Sequence, residues 1–178
     1  MASVLIPRVY VASLSDYNAG ILHGRWIDVG DLEGLREAVA AMLSESPTAK
    51  ADGCPAEEWA IHDYEGFGPI KVSESEDLAT VCQWAEAIDR HGEPFAAWVA
   101  REPAYHTDPE KFEEAYRGHW KSLEDYAAEF CAECMGEVPA WLAGYVDYEK
   151  MGADWEMGGD IYTVESDEGG VWVFDGHV

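Results

Sequence analysis

The stretch LAGYVDYEKMGADW, residues 142–155, mixes aromatic and acidic side chains. It holds Tyr145, Tyr148 and Trp155 among three carboxylates, and Lys150 is its only basic residue. Aromatic rings can pack while carboxylates stay in water, so the pattern indicates a folded surface that presents negative charge. The alternative is an acidic amphipathic helix whose aromatic side lies in a core. The residue types alone leave both interpretations open.

The rest of the chain is also acidic. Its 178 residues carry 36 Asp and Glu against 11 Lys and Arg, a net charge of -25, and residues 122–178 alone carry 14 acidic residues and one basic residue. Such a surplus opposes compaction, and a basic partner, divalent cations, a high-salt habitat or solubility could each favour it. Because 48% of the residues are apolar, with eight Trp and nine Tyr, we expect packed cores beneath a strongly acidic surface.

The first part of the chain predicts a small α+β domain over residues 1–70. Alternating apolar residues predict an antiparallel hairpin, with strands at residues 8–14 and 22–29, a turn at residues 16–20 and a bulge at Gly24. Helical spacing over residues 32–44, a loop over residues 46–55 and a third strand at residues 59–64 follow. Strand, strand, helix and strand in this order are typical of an α+β unit.

The middle of the chain predicts helices only. Ser73 and Glu76 have the spacing of a capping box before an apolar helical face at residues 78–88. Pro94 opens a shorter helix with Phe95 and Trp98 turned inward. We therefore expect a central helical domain over residues 71–104.

The last part predicts a second α+β domain, over residues 105–178. Its helices are expected from Pro109, after Ser122, and from Pro139 through residues 142–155, the last with a break near Asp147 or Gly152. Its strands are expected at residues 161–164 and 171–174, on either side of the turn SDEGG. The predicted class is thus α+β, made of an α+β domain, a helical domain and a second α+β domain.

Catalytic motifs are weak. Cys131 and Cys134 form a C-x-x-C pair, but no second pair completes a zinc site, and a helix C-terminus does not favour a redox thiol, so we expect both in the core. His62 alternates with apolar residues and is expected to pack in a strand. No nucleotide or calcium loop occurs, so the chain is predicted to need no cofactor or metal and not to be an enzyme. An acidic, cation-dependent hydrolase is the least favoured alternative.

The charge also bears on partners. Eleven basic residues among 36 acidic ones would repel phosphates, so direct binding of nucleic acid is not expected. The opposite role, in which the protein imitates nucleic acid, is physically consistent. A charge of -25 matches about 42 Å of duplex DNA at one charge per about 1.7 Å. The sequence has neither a signal peptide pattern nor an apolar segment of membrane-spanning length, so we expect a cytoplasmic protein without membrane contact.

Three blocks in order resemble the ArdA antirestriction family. They are RVYVASLSDYN with GRWID (residues 8–18 and 24–28), EEWAIHDYEGF (residues 57–67) and the stretch 142–155. The last is similar to the family's antirestriction motif, of the type L-x-x-Y-[IV]-D-Y-E-x-x-A-R-D-L. Gly152, Ala153 and Trp155 stand where that pattern has Ala, Arg and Leu, and the Arg-to-Ala departure makes the motif more acidic.

The resemblance implies an elongated chain of three small domains and a curved homodimer that resembles bent B-form DNA. It implies an antirestriction protein, often carried on mobile genetic elements, that occupies the DNA groove of type I restriction-modification enzymes; the alternative is an acidic inhibitor of another DNA-binding protein. The expected motif and dimer region comprises Leu142, Tyr145, Val146, Asp147, Tyr148, Glu149, Asp154 and Trp155. The carboxylates expected on the DNA-mimicking face are Glu74, Glu76, Asp77, Glu86, Asp89, Glu110, Glu113, Glu114, Glu124, Asp125, Glu129 and Glu133.

Overall fold

The computed structural model describes residues 6–101, 108–136 and 138–178. The chain is mixed α and β, with two three-stranded antiparallel sheets, which confirms the predicted α+β class. It forms two compact units, Met1–Pro109 and Glu110–Val178. The division into three domains stays a prediction, and its boundary at residues 104–105 lies outside the described residues. Within the described ranges, no helix combines the length and apolar character that crossing a membrane requires.

The sheet of the first unit is built around its first strand. Strand β1 (Arg8–Ser13) lies between β2 (Gly24–Asp28) and β3 (Trp59–Glu65), and both pairings are antiparallel. The predicted hairpin and returning strand are confirmed. The bulge prediction at Gly24 is wrong, because the β1–β2 register is regular; a Cβ at Gly24 would instead lie 2.7 Å from the ring of Tyr10. The glycine is needed for this close approach.

Helices pack on this sheet and on one another and build the core of the first unit. The core is apolar and aromatic, and many of its buried members come from the central strand and from three of the helices. The helices are α1 (Leu14–Asn18), α2 (Leu32–Ser44), α3 (Pro47–Asp52), α4 (Leu78–His91) and α5 (Glu93–Arg101). Helices α1 and α2 pack on the sheet, α4 packs on α2 and α5 packs on α4. The buried side chains include Val9, Val11, Leu35, Met42, Val81, Trp84, Phe95 and Trp98.

Two segments predicted as turn and loop are short helices. Ser13 caps α1, and Ser46 caps α3 by accepting the Ala49 N–H at 3.1 Å, with proline in the first turn. The buried Asp16 joins them, because its Oδ1 accepts the Thr48 N–H at 2.8 Å. Burial raises the pKa of Asp16, but the hydroxyls of Ser13, Ser46 and Thr48 and the Thr48 N–H beside the carboxylate outweigh it and hold the pKa well below its usual range.

The capping-box prediction before α4 is wrong. Helix α4 begins at Leu78 directly after Asp77, and Asp77 makes no side-chain cap hydrogen bond. Ser73 and Glu76 close a turn instead, with the Glu76 N–H donating to the Ser73 carbonyl at 3.1 Å. The spacing of a capping box is thus met by a turn that precedes the helix.

The second unit has its own sheet and core. Strand β4 (Tyr116–Trp120) pairs with β6 (Val171–Asp175), which pairs with β5 (Ile161–Glu165), all antiparallel. The hairpin β5–β6 is as predicted. The sequence pattern does not predict β4, because Gly118, with φ of +106° and a register shift beside it, interrupts the alternation. The helices of this part are α6 (Pro109–Ala115), α7 (Leu123–Met135), α8 (Ala140–Ala143) and α9 (Tyr148–Gly158).

Candidate functional site

The stretch 142–155 divides between two helices. Helix α8 ends at Ala143, and α9 begins after Asp147, whose carboxylate accepts the Lys150 N–H at 2.9 Å. An Asp at this position satisfies an otherwise unpaired N–H and favours a helix start. The predicted break near Asp147 is therefore confirmed, and the alternative break at Gly152 is wrong because that residue lies inside α9.

The second half of the stretch packs against α7. Gly152 is buried, and a Cβ there would lie 2.7 Å from Cγ of Leu123. The Trp155 ring is half-buried, with its centroid 5.4 Å from that of Phe130 and 6.3 Å from that of Tyr126. Glycine lets the two helices approach, and tryptophan fills the space beside them. Two of the three departures from the family pattern thus lie at one helix contact.

The first half of the stretch is exposed. Tyr145 is 83% exposed, Leu142 37%, and the preceding Trp141 75%. Val146 and Tyr148 are half-buried, and the carboxylates of the stretch are exposed. An aromatic cluster in water is unusual for a monomer and often marks an interface. Trp141 is not among the predicted residues, although it is aromatic and adjoins the stretch.

Helix α7 carries a row of carboxylates. Asp125, Glu129 and Glu133 are exposed and spaced by four residues, so they lie on one face about 6 Å apart along the axis, at about 1.5 Å per residue. The helix sequence contains no Lys or Arg. Ser122 caps the helix as predicted, since its Oγ accepts the Asp125 N–H at 3.1 Å.

The other predicted carboxylates lie on both units. Glu76 is half-buried, and the rest are exposed. On α4, Glu86 pairs with Arg90 at 2.9 Å, so part of its charge is offset. The remaining positions are in the turn before α4, on α4 itself, on α6 and in the first turn of α7: Glu74, Asp77, Asp89, Glu110, Glu113, Glu114 and Glu124.

No metal centre emerges from the described residues. Among them, no group of three or more His, Cys, Asp or Glu side chains could hold a metal ion. His62 is half-buried in β3, with its ring centroid 4.8 Å from that of Tyr17. Cys131 is buried as predicted, with Sγ 3.3 Å from Sδ of Met151, whereas Cys134 is exposed, contrary to prediction. The apolar stripe of α7 turns away from the core before its last turn, so the cysteine spacing does not bring both thiols inside.

Fold and site together define a small acidic α+β protein that displays carboxylates on helices. The sequence profile described as Antirestriction protein (ArdA) matches residues 9–168. The chain therefore belongs to the ArdA antirestriction family. A comparison with curated proteins gave no match.

Proposed function

We propose that this protein is a DNA mimic that occupies the DNA-binding groove of a type I restriction-modification enzyme and competes with DNA. The observation that carries the proposal is the acid row of α7, together with a net charge of -25. Enzymes of this kind hold DNA largely through basic side chains on phosphates, contacts that position DNA without reading its sequence. Carboxylates on rigid helices can pair with the same side chains.

The charge spacing supports this proposal. Carboxylates about 6 Å apart on one helix face have roughly half the axial charge density of a single DNA strand, which carries one phosphate per about 3.4 Å. Other acidic helices in the same groove would add to that density. Such a surface carries no nucleobases, so it can block enzymes of different sequence specificity, and it contains no phosphodiester to cleave.

We also propose a homodimer formed through the exposed cluster Trp141, Leu142 and Tyr145. Burying this cluster would remove apolar surface from water. Residues 110–178 hold 17 acidic and 4 basic residues, so the contact must leave its carboxylates, such as Asp147 and Glu149, at the edge. Sedimentation of the wild type against Trp141→Ser/Tyr145→Ser tests this: dimer and monomer, respectively, are expected. A monomeric wild type at micromolar concentration would contradict the dimer.

The test of function is a competition titration. A type I methyltransferase core bound to labelled DNA should release the DNA as this protein is added, and the effect should weaken steeply as salt rises. Unrelated DNA-binding proteins serve as the control for generic charge attraction. A stable complex of enzyme, DNA and this protein, or salt-independent displacement, would contradict mimicry. Equal displacement from the whole panel would favour an acidic inhibitor of broader range.

A further inference from the structure

A cleft of about 1060 Å³ lies in the first unit, along one side of α4. The end of β2, the start of α2 and residues 66–69 form its other side. Its walls are largely apolar and include Pro7, Val29, Leu32, Pro69 and Ile88. None of its described lining residues belongs to the stretch 142–155.

Helix α4 gives the cleft an elongated shape. Seven residues of α4 between Ala79 and Asp89 line the cleft and cover more than half of the helix circumference, so the helix forms one long wall. From Ala79 to Asp89 this wall extends about 15 Å, at about 1.5 Å per residue. A wall of that length is too long for a single side chain and matches two to three turns of a bound helix.

The edge of the cleft is acidic. Asp31, Glu86, Asp89 and Glu93 line it, and no Lys or Arg is among the described lining residues. Arg90 pairs with Glu86 and offsets one of these charges. Burial raises the pKa of the Cys82 thiol, with Asp31 and Asp77 adding to the effect and Arg36 opposing it, as expected for a desolvated, electronegative wall.

We propose that this cleft binds an amphipathic basic helix of a partner protein. An apolar groove takes the apolar face of such a helix, and the acidic edge pairs with its Lys or Arg side chains. The inference does not rest on the proposed DNA mimicry, because its test needs no restriction enzyme, although Glu86 and Asp89 at the edge of the cleft are also among the carboxylates expected on the mimicking face.

The test uses the full chain and a fluorescent peptide of Leu and Lys at amphipathic helical spacing, about 14 residues or about 21 Å long, which covers the wall of about 15 Å with about one turn to spare. A peptide of the same composition, scrambled so that no apolar face forms, is the control for charge. We expect the scrambled peptide to bind at least about tenfold more weakly. Equal binding of both peptides would overturn the proposal, since a protein of charge -25 attracts any polycation.

Variants locate the binding. Gly30 lines the cleft, and nothing lies within 4 Å of a Cβ placed there, so Gly30→Phe is expected to be accommodated without a clash and, by occupying space at the wall, to weaken binding about tenfold, while Gly30→Ala should not. Gln83→Trp, at an exposed wall position, gives a second filling variant with little risk to folding. Unchanged affinity in both filling variants would overturn the proposal.

Two further experiments test the acidic edge of the cleft and the identity of what occupies it. Asp89→Asn/Glu93→Gln should weaken binding severalfold, and Asp52→Asn, on exposed α3 outside the cleft, should not; equal effects would contradict an acidic edge.

A chain that begins at Ile6 should bind the peptide as the full chain does. A gain of about tenfold would assign the cleft to residues 1–5 and overturn a partner helix.

Discussion

Helices α4 and α7 have nearly the same length and opposite character. Helix α4 buries Leu78, Val81 and Trp84 and offsets Glu86 with Arg90. Helix α7 buries less and aligns Asp125, Glu129 and Glu133 without a basic residue. Like charges four residues apart destabilise a helix, so stability does not account for the sequence of α7. Helix α4 thus contributes to the core of the first unit, whereas the acid row of α7 is the feature on which the proposed DNA mimicry rests.

The largest effect is expected in the core beneath α4. Trp84 is 1% exposed, and Trp84→Ala should lower the free energy of unfolding by about 3–5 kcal/mol. Urea denaturation followed by circular dichroism measures this. Trp84→Phe is the control and should cost less, because it retains much of the ring volume. A cost under about 1 kcal/mol for Trp84→Ala would contradict a close-packed core.

A smaller effect is expected where α7 meets α9. Gly152→Ala places a methyl group against Leu123 and should destabilise by about 1–3 kcal/mol through overpacking. Leu123→Ala should relieve the contact, so the double variant should be less destabilised than the sum of the two single variants. Strict additivity in this cycle would show that the two residues do not touch.

Asp16, unlike the like-charged carboxylates of α7, is an acid that is expected to stabilise the fold. Its pKa is lowered on folding, so its contribution is present above the unfolded-state value of about 3.9 and is lost as pH falls below it. As pH falls from about 5 toward 2, the wild type should therefore lose stability more steeply than Asp16→Asn. Denaturation midpoints measured across this range check the prediction. Parallel curves would contradict a stabilising Asp16 carboxylate.

The smallest expected effect concerns the row of carboxylates on α7. Here neutralising the acids should raise the stability of the protein rather than lower it. Replacing Glu129 and Glu133 by Gln removes two like-charge pairs and should stabilise by about 0.2–0.5 kcal/mol for each pair at low salt. Glu86→Gln on α4 is the matched control and should destabilise slightly, since it breaks the pair with Arg90. Thermal denaturation at low and high salt measures both, and loss of stability in the α7 variant would contradict repulsion.

Sequence patterns predict those features of the fold that depend on residues close to one another in the chain. The Ser122 cap, the start of α9 at Asp147 and the hairpin β5–β6 follow from residue types at fixed spacing. Helix α3 differs from the predicted loop, although Ser46 and Pro47 carry the signal for a helix start. The sequence pattern does not predict strand β4, because the strand has only five residues and Gly118 interrupts its alternation.

Tertiary contacts decide what the patterns leave open. Both interpretations of the stretch 142–155 hold in part: Trp155 packs on α7, whereas Tyr145 lies in water. Aromatic content does not distinguish these positions, because the difference depends on which residues face α7. The sequence predicts the carboxylates of α7, and their alignment on one face of a helix without basic residues follows from the helix geometry.

The most direct test of the central claim is inhibition measured against the number of neutralised carboxylates. Each exposed ion pair is worth about 0.2–1 kcal/mol, so Glu113→Gln or Asp125→Asn alone should barely reduce inhibition of a type I enzyme. Combined replacements should reduce it smoothly, roughly additively, with circular dichroism confirming the fold of each variant. If one folded variant abolished inhibition while its neighbours had no effect, a discrete site would replace the mimic.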